Sequence, residues 1–169
     1  MRRRRVARGV AEPAPLAFID EHERTLAVPP ERAWGALARA LPRAVGGGIL
    51  QGYARVVGCD PARADGVFPR EGSALPGFRV ARVLPPRELL LARSPRFARY
   101  ELDLRLEPLD HARRTRLVAR TRAAFPGAGG AAYRLAVIGS GAHAWSVRRL
   151  LAHVERRAAR PGDPSAARG

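Results

Sequence analysis

The polar side chains best placed to do chemistry lie in the last third of the chain. At ~100° per residue, Tyr133 and Ser140 fall on one helical line with Val137, Ala144, Val147, Leu151 and Val154, and His143 sits at its edge. A phenol, a hydroxyl and an imidazole on an otherwise apolar face offer hydrogen bonds to a ligand. The imidazole could also move a proton near neutral pH. Tyr100, Thr115 and Thr121 would add hydroxyls from strand-like segments upstream. The expected site is Tyr100, Thr121, Tyr133, Ser140 and His143, lining a mostly apolar pocket with a few convergent polar groups. The plain alternative is a core helix whose tyrosine and histidine bond to nearby backbone.

Other chemistries find little support. There is no phosphate loop, dinucleotide fingerprint or HExxH pair, so no cofactor is expected. Gly127-Ala128-Gly129-Gly130 precedes a helix but lacks the lysine and spacing of a P-loop, and reads as a bend. Ser140 between Gly139 and Gly141 is not a nucleophile elbow. Cys59 is the sole cysteine, and His22 and His111 have no partners at metal-ligand spacing, so neither a disulfide nor a metal site is expected. Trp34 reads as core packing.

These residues need a scaffold, and 169 residues suffice for one domain with a normal core. Residues 1–15 are basic and then Pro/Ala-rich, and are expected to be a disordered arm; 161–169 reads as a disordered tail. The folded unit is expected over 16–160. No run approaches the ~20 apolar residues of a membrane span, and no signal peptide is evident, so a cytoplasmic location is expected. The net charge of +16 suggests an acidic partner, yet every one of the 31 basic residues is arginine and none is lysine. With Ala, Gly and Pro also abundant, compositional bias takes precedence over nucleic-acid binding. Residues 2–5, all arginine, keep an acidic-surface reading open.

Periodicity then predicts the elements. Residues 18–28 form a first strand. Pro29-Pro30-Glu31 opens a helix, because proline suits the first helical position and a carboxylate suits its positive end. Trp34, Leu37, Ala38 and Leu41 share its face, and Pro42 ends it. Residues 43–76 are hard to read, with strands suggested at 51–57 and 66–69. Strands follow at 77–84 and 88–94. Over 97–108, Tyr100, Leu102, Leu104 and Leu106 alternate with Arg99, Glu101, Asp103, Arg105 and Glu107, the period-two pattern of a strand with one wet face. Residues 113–125 alternate likewise.

If Asp110 and His111 form the tip of that hairpin, Glu107 faces Arg114, Glu101 faces Arg120, and Arg105 meets Arg116 unfavourably. Part of the arginine excess is thus expected to be paired within the chain. Tyr100 and Thr121 would be direct cross-strand neighbours. A long helix is expected over 131–159, with Val147, Leu150, Leu151 and Val154 inward. A second stripe, Leu135, Ile138, Ala142 and Trp145, faces nearly opposite. It is either a dimer contact or a surface patch, unless Gly139 and Gly141 kink the helix and shift its phase.

The stretch Glu23-Arg24-Thr25-Leu26-Ala27-Val28-Pro29-Pro30-Glu31-Arg32-Ala33-Trp34 resembles the opening of the START-like, or SRPBCC, superfamily. Phe125-Pro126-Gly127 followed by Tyr133-Arg134 and His143 is similar to bacterial members of it. The resemblance spans most of the chain, from Phe18 to Arg157, and its motifs are structural. It implies an α+β helix-grip fold: a curved, seven-stranded antiparallel sheet around the C-terminal helix, with a cavity between. It also implies binding of lipids, polyketides or similar apolar molecules. Some members catalyse cyclisation or dehydration, a role that would fall here to His143 or Tyr133.

Overall fold

The computed structural model describes residues 15–45, 64–93 and 98–160. The arm over 1–14, the strand suggested at 51–57, Cys59 and the tail over 161–169 lie outside the described residues. β1 (Ala17–Leu26) leads to α1 (Pro30–Val45). Then come β2 (Ala74–Leu75), β3 (Phe78–Leu84), β4 (Glu88–Arg93), β5 (Arg99–Leu109) and β6 (Arg114–Ala124). α2 (Gly127–Arg134), a π-helical turn (Leu135–Gly139) and α3 (Ala142–Ala159) complete the order. The described strands form one antiparallel sheet in the order β1-β6-β5-β4-β3-β2, where seven strands were expected. Residues 66–69, expected as a strand, form bends instead.

The concave face is the core. Leu89, Leu91, Leu102, Leu104, Leu106 and Leu117 are buried there, at the alternate positions that a pleated strand sends inward. α1 covers part of this face. Its buried positions are Ala33, Ala36, Leu37, Ala40 and Leu41, at i, i+3, i+4, i+7 and i+8. The buried line is rotated from the expected one, so that Trp34 and Ala38 flank it half-buried. α1 also runs through Pro42 to Val45, one turn past the expected stop. α3 packs beside α1 and over β1 through Val147, Leu151, Val154 and Ala158. Arg32 donates to the Arg160 carbonyl at 2.6 Å, and Arg24 to Glu155 at 3.0 Å, fastening α3 to both neighbours. The Thr115 hydroxyl, wholly buried, donates to the Val28 carbonyl at 2.8 Å and ties the β1–α1 turn to β6.

The β5–β6 hairpin has the expected faces and a different register. Glu107 lies opposite Arg116, Asp103 opposite Arg120, and Arg105 opposite Val118. The tip is Asp110-His111-Ala112, three residues with positive φ (51°, 55° and 64°). The turn spans 110–113, one residue further along the chain than the expected 109–112, and this moves the pairing by two residues. A two-residue slip keeps every side chain on its side of the sheet, whereas one residue would invert them all. The expected clash of Arg105 with Arg116 disappears: Arg105 bonds Asp103 at 2.9 Å, and Arg116 bonds Glu107. Arg120 pairs with Glu21 on β1 at 2.6 Å. These carboxylates hold the Arg116 and Arg120 guanidinium groups above their ordinary pKa, the hydrogen bond being the first cause in each.

The terminal helix is not continuous. The π-helical turn adds residues to one revolution, and Gly141 then adopts φ 72°, a left-handed conformation that costs other residues energy. The line through Tyr133 and Ser140 therefore does not continue into Val147 and Leu151.

Candidate functional site

The break at Gly141 places His143 in the first turn of α3, against the concave face of the sheet. Its Nε2 lies 3.0 Å from the hydroxyl of Thr121, which is fully buried on β6. The Tyr100 hydroxyl on β5 lies 3.4 Å from both ring nitrogens, with the rings edge to face and their centroids 5.5 Å apart. Asp20 Oδ1 on β1 is 3.4 Å from Nε2, and Asp20 Oδ2 is 3.4 Å from His22 Nε2. A β-bulge aims Asp20 inward. Phe18 pairs with Arg122 and Asp20 with Thr121, so Ile19 is an extra residue in β1. Such an insertion reverses the strand's alternation. Phe18 accordingly stands 62 % exposed, while Asp20 shares the inner face with Thr121.

Three of the five expected site residues, Tyr100, Thr121 and His143, thus converge. The first two are diagonal neighbours, not direct ones: Thr121 pairs with Leu102, and Tyr100 with Ala123. Ser140 does not join them. It is exposed, and its hydroxyl donates to the Ala136 carbonyl at 2.7 Å and accepts from the Ala142 N–H at 3.3 Å, fastening the helix break. The Tyr133 side chain lies outside what the structure describes. Asp20 and His22 were absent from the expected set; the bulge that turns Asp20 inward leaves no mark in composition. Arg93 is half-buried beside the site: its guanidinium lies 5.7 Å from the Phe78 ring centroid, and Phe78 in turn meets Tyr100 edge to face at 5.9 Å. Arg82 is exposed and bonds Glu88.

The electrostatics favour a neutral imidazole. Burial pushes the His143 pKa below its ordinary value, and the opposing pull of Asp20 is weaker. A neutral ring has one N–H and one lone pair. The carboxylate beside Nε2 favours the proton there, which leaves the Nδ1 lone pair as acceptor or base. Beyond their 3.4 Å contacts with His143 Nε2 and Asp20 Oδ2, Asp20 Oδ1 and His22 Nε2 are enclosed with no hydrogen-bond partner among the described residues. Buried polar atoms of this kind can accept or donate to a ligand or water. No three His, Cys, Asp or Glu side chains group as metal ligands among the described residues, and no described helix is long and apolar enough to cross a membrane.

Two clefts lie along β1 on either side of Asp20. One, of about 310 Å³, is mainly apolar and is lined by Ala17, Phe18, Ile19, Ala123, Phe125 and Pro126 among others, with Arg134 at its edge. The other, of about 460 Å³, is more polar; it lies between β1 and α3 and includes His22, Arg24, Arg148, Leu151 and Glu155. Ile19, in the apolar cleft, immediately precedes Asp20 in the chain, and His22 lines the polar one.

The depressed His143 pKa has a consequence for stability. Below the ordinary histidine value of 6.5, the unfolded chain binds a proton that the native ring resists. The stabilisation is complete above that pH and is lost as pH falls through the native pKa. His153, also pushed down, acts in the same sense. Urea melts from pH 7.5 to 5 (chosen to bracket the ordinary value) should show stability falling on acidification, and His143→Gln should reduce that slope. An unchanged slope would mean that His143 titrates normally.

No protein-family model matches the chain, and no curated protein does. Solved structures do. The chain is similar to an uncharacterised protein from Rhizobium leguminosarum, with 15 % identity over 87 % of this chain and 97 % of that one and a TM-score of 0.53. It is similar to Ara h 8.0201, with 12 % identity over 85 % and 98 % and a TM-score of 0.53. It is also similar to the Mll3558 protein of Rhizobium loti, with 18 % identity over 85 % and 99 % and a TM-score of 0.50. At such identities the likeness concerns the fold, and together with the six-stranded sheet and C-terminal helix it identifies an α+β chain of the helix-grip fold.

Proposed function

We propose that the chain binds an apolar small molecule, of lipid or polyketide type, along the inner side of β1. The apolar body would lie in the recess formed by Ala17, Ile19, Ala123 and Phe125. Its polar end would reach the cluster of Asp20, Tyr100, Thr121 and His143. The observation that carries the reading is this convergence of polar side chains from four elements beside a mainly apolar recess. A few fixed polar groups at the end of an apolar recess orient a ligand. Native mass spectrometry of the purified chain tests it: an adduct of small-molecule mass, released on denaturation, is expected.

A second reading has its own support in the contact of Asp20 with His143. A carboxylate that holds an imidazole tautomer leaves the opposite nitrogen as a general base, and Tyr100 could supply a proton. Cyclisation or dehydration of a carbonyl-rich substrate would need that pairing. Incubation with a poly-β-ketone thioester should then give a cyclised product that His143→Gln does not form.

A further inference from the structure

The outward face of α3 carries a tryptophan among arginines. At ~100° per residue, Trp145, Arg149 and Arg156 fall in one line, with Arg148 on its flank. The line lies opposite the buried row of Val147, Leu151, Val154 and Ala158. Trp145 is 56 % exposed, and the Arg149 guanidinium lies 5.2 Å from its ring centroid. Leu135, on the preceding π-helical turn, is 75 % exposed.

The charge of this face is not neutralised as it is on the sheet. On the sheet, Arg116 and Arg120 sit on Glu107 and Glu21. From Gly127 to Arg160 there are six arginines and one carboxylate, Glu155, and Glu155 already bonds Arg24. Arg148, Arg149 and Arg156 form no ion pair with another described residue. α1 adds to the excess. After burial, the repulsion of Arg43, Arg160 and Arg39 helps pull the Arg157 guanidinium below its ordinary pKa. His153 is lowered by burial and then by Arg156, Arg157, Arg160 and Arg43.

We propose that this face of α3 docks on an anionic lipid bilayer, Trp145 entering the headgroup layer and Arg148, Arg149 and Arg156 engaging lipid phosphates. The inference does not rest on the ligand reading, because it uses the opposite side of the helix. Tryptophan favours the bilayer interface, where its ring is apolar and its N–H stays wet. A guanidinium matches phosphate with two parallel hydrogen bonds. A second copy fits less well, since a two-fold contact through this face would set each row of arginines against its own image. A nucleic-acid duplex would satisfy the arginines and leave Trp145 in water.

The full chain is mixed with phosphatidylcholine vesicles with or without phosphatidylglycerol, and binding is read by co-sedimentation. Binding is expected only with phosphatidylglycerol, weakening as salt rises. Arg148→Ala with Arg149→Ala should weaken it about 30-fold, from about a fivefold loss per arginine near an anionic surface. Trp145→Ala should weaken it too, and its native emission should shift to the blue on binding. Arg105→Ala with Arg122→Ala removes the same charge from the sheet face and should have far less effect. Any of four results overturns the proposal: equal binding to neutral vesicles; equal losses from the two double variants; a dimer in light scattering that Trp145→Ala abolishes; or tighter binding to an oligonucleotide than to the anionic vesicles.

Discussion

Leu104→Ala should lower unfolding stability by roughly 2–5 kcal/mol, the range for a buried leucine whose surroundings collapse only in part. Leu104 is wholly buried in the middle of β5, between Leu89 on β4 and Ala119 on β6. Its cross-strand neighbours are held in place by the sheet's hydrogen bonds, so they cannot move in to fill the space. Leu84→Ala supplies the contrast. That residue is 51 % exposed at the end of β3, and its loss should stay within about 0.5 kcal/mol. Urea melts analysed at constant slope compare the two. Similar losses at both sites would mean that the concave face is not the core.

His143→Leu should cost roughly 1–3 kcal/mol, the penalty for leaving buried polar atoms without partners. The change keeps an apolar side chain of similar reach but takes the imidazole from the Thr121 hydroxyl, 3.0 Å from Nε2, and from Asp20 Oδ1. Thr121→Val should cost a similar amount. The double variant should lose less than the sum, because the second change removes a group that the first has already orphaned; couplings of about 0.5–3 kcal/mol are usual for such contacts. Additive losses would show that the two side chains do not interact. In the proposed function His143→Leu should also weaken a carbonyl-bearing ligand by about tenfold, one hydrogen bond's worth.

The fold followed from the strongest patterns. The alternation of Tyr100, Leu102, Leu104 and Leu106 with charged residues identified β5 and its buried side. The Pro-Pro-Glu start located α1. What escaped was set by single residues whose backbone conformation has no periodic signature. The positive φ of Asp110, His111 and Ala112 places the hairpin turn one residue later and moves the register by two. Ile19 forms the bulge that brings Asp20 into the site. The π-helical turn and Gly141 end one helix and restart another, so Ser140 turns outward while His143 turns in. The glycines at 139 and 141 were the visible hint of that break. Within the site, the hydroxyls and imidazole were recognisable from their positions on apolar faces. The carboxylate that orients them was not.

The measurement that bears most directly on the proposed function is a fluorescence titration with phenylnaphthylamine, an apolar probe whose emission rises when it leaves water. Ala17 is exposed at the wall of the apolar recess, so Ala17→Trp can fill that space without disturbing the core. Ser140 faces solvent, so Ser140→Phe leaves the recess open. The account predicts saturable uptake by the native chain and by Ser140→Phe, and loss of uptake in Ala17→Trp at unchanged melting temperature. Absence of saturable uptake by the native chain, or uptake by Ala17→Trp equal to native, would contradict it.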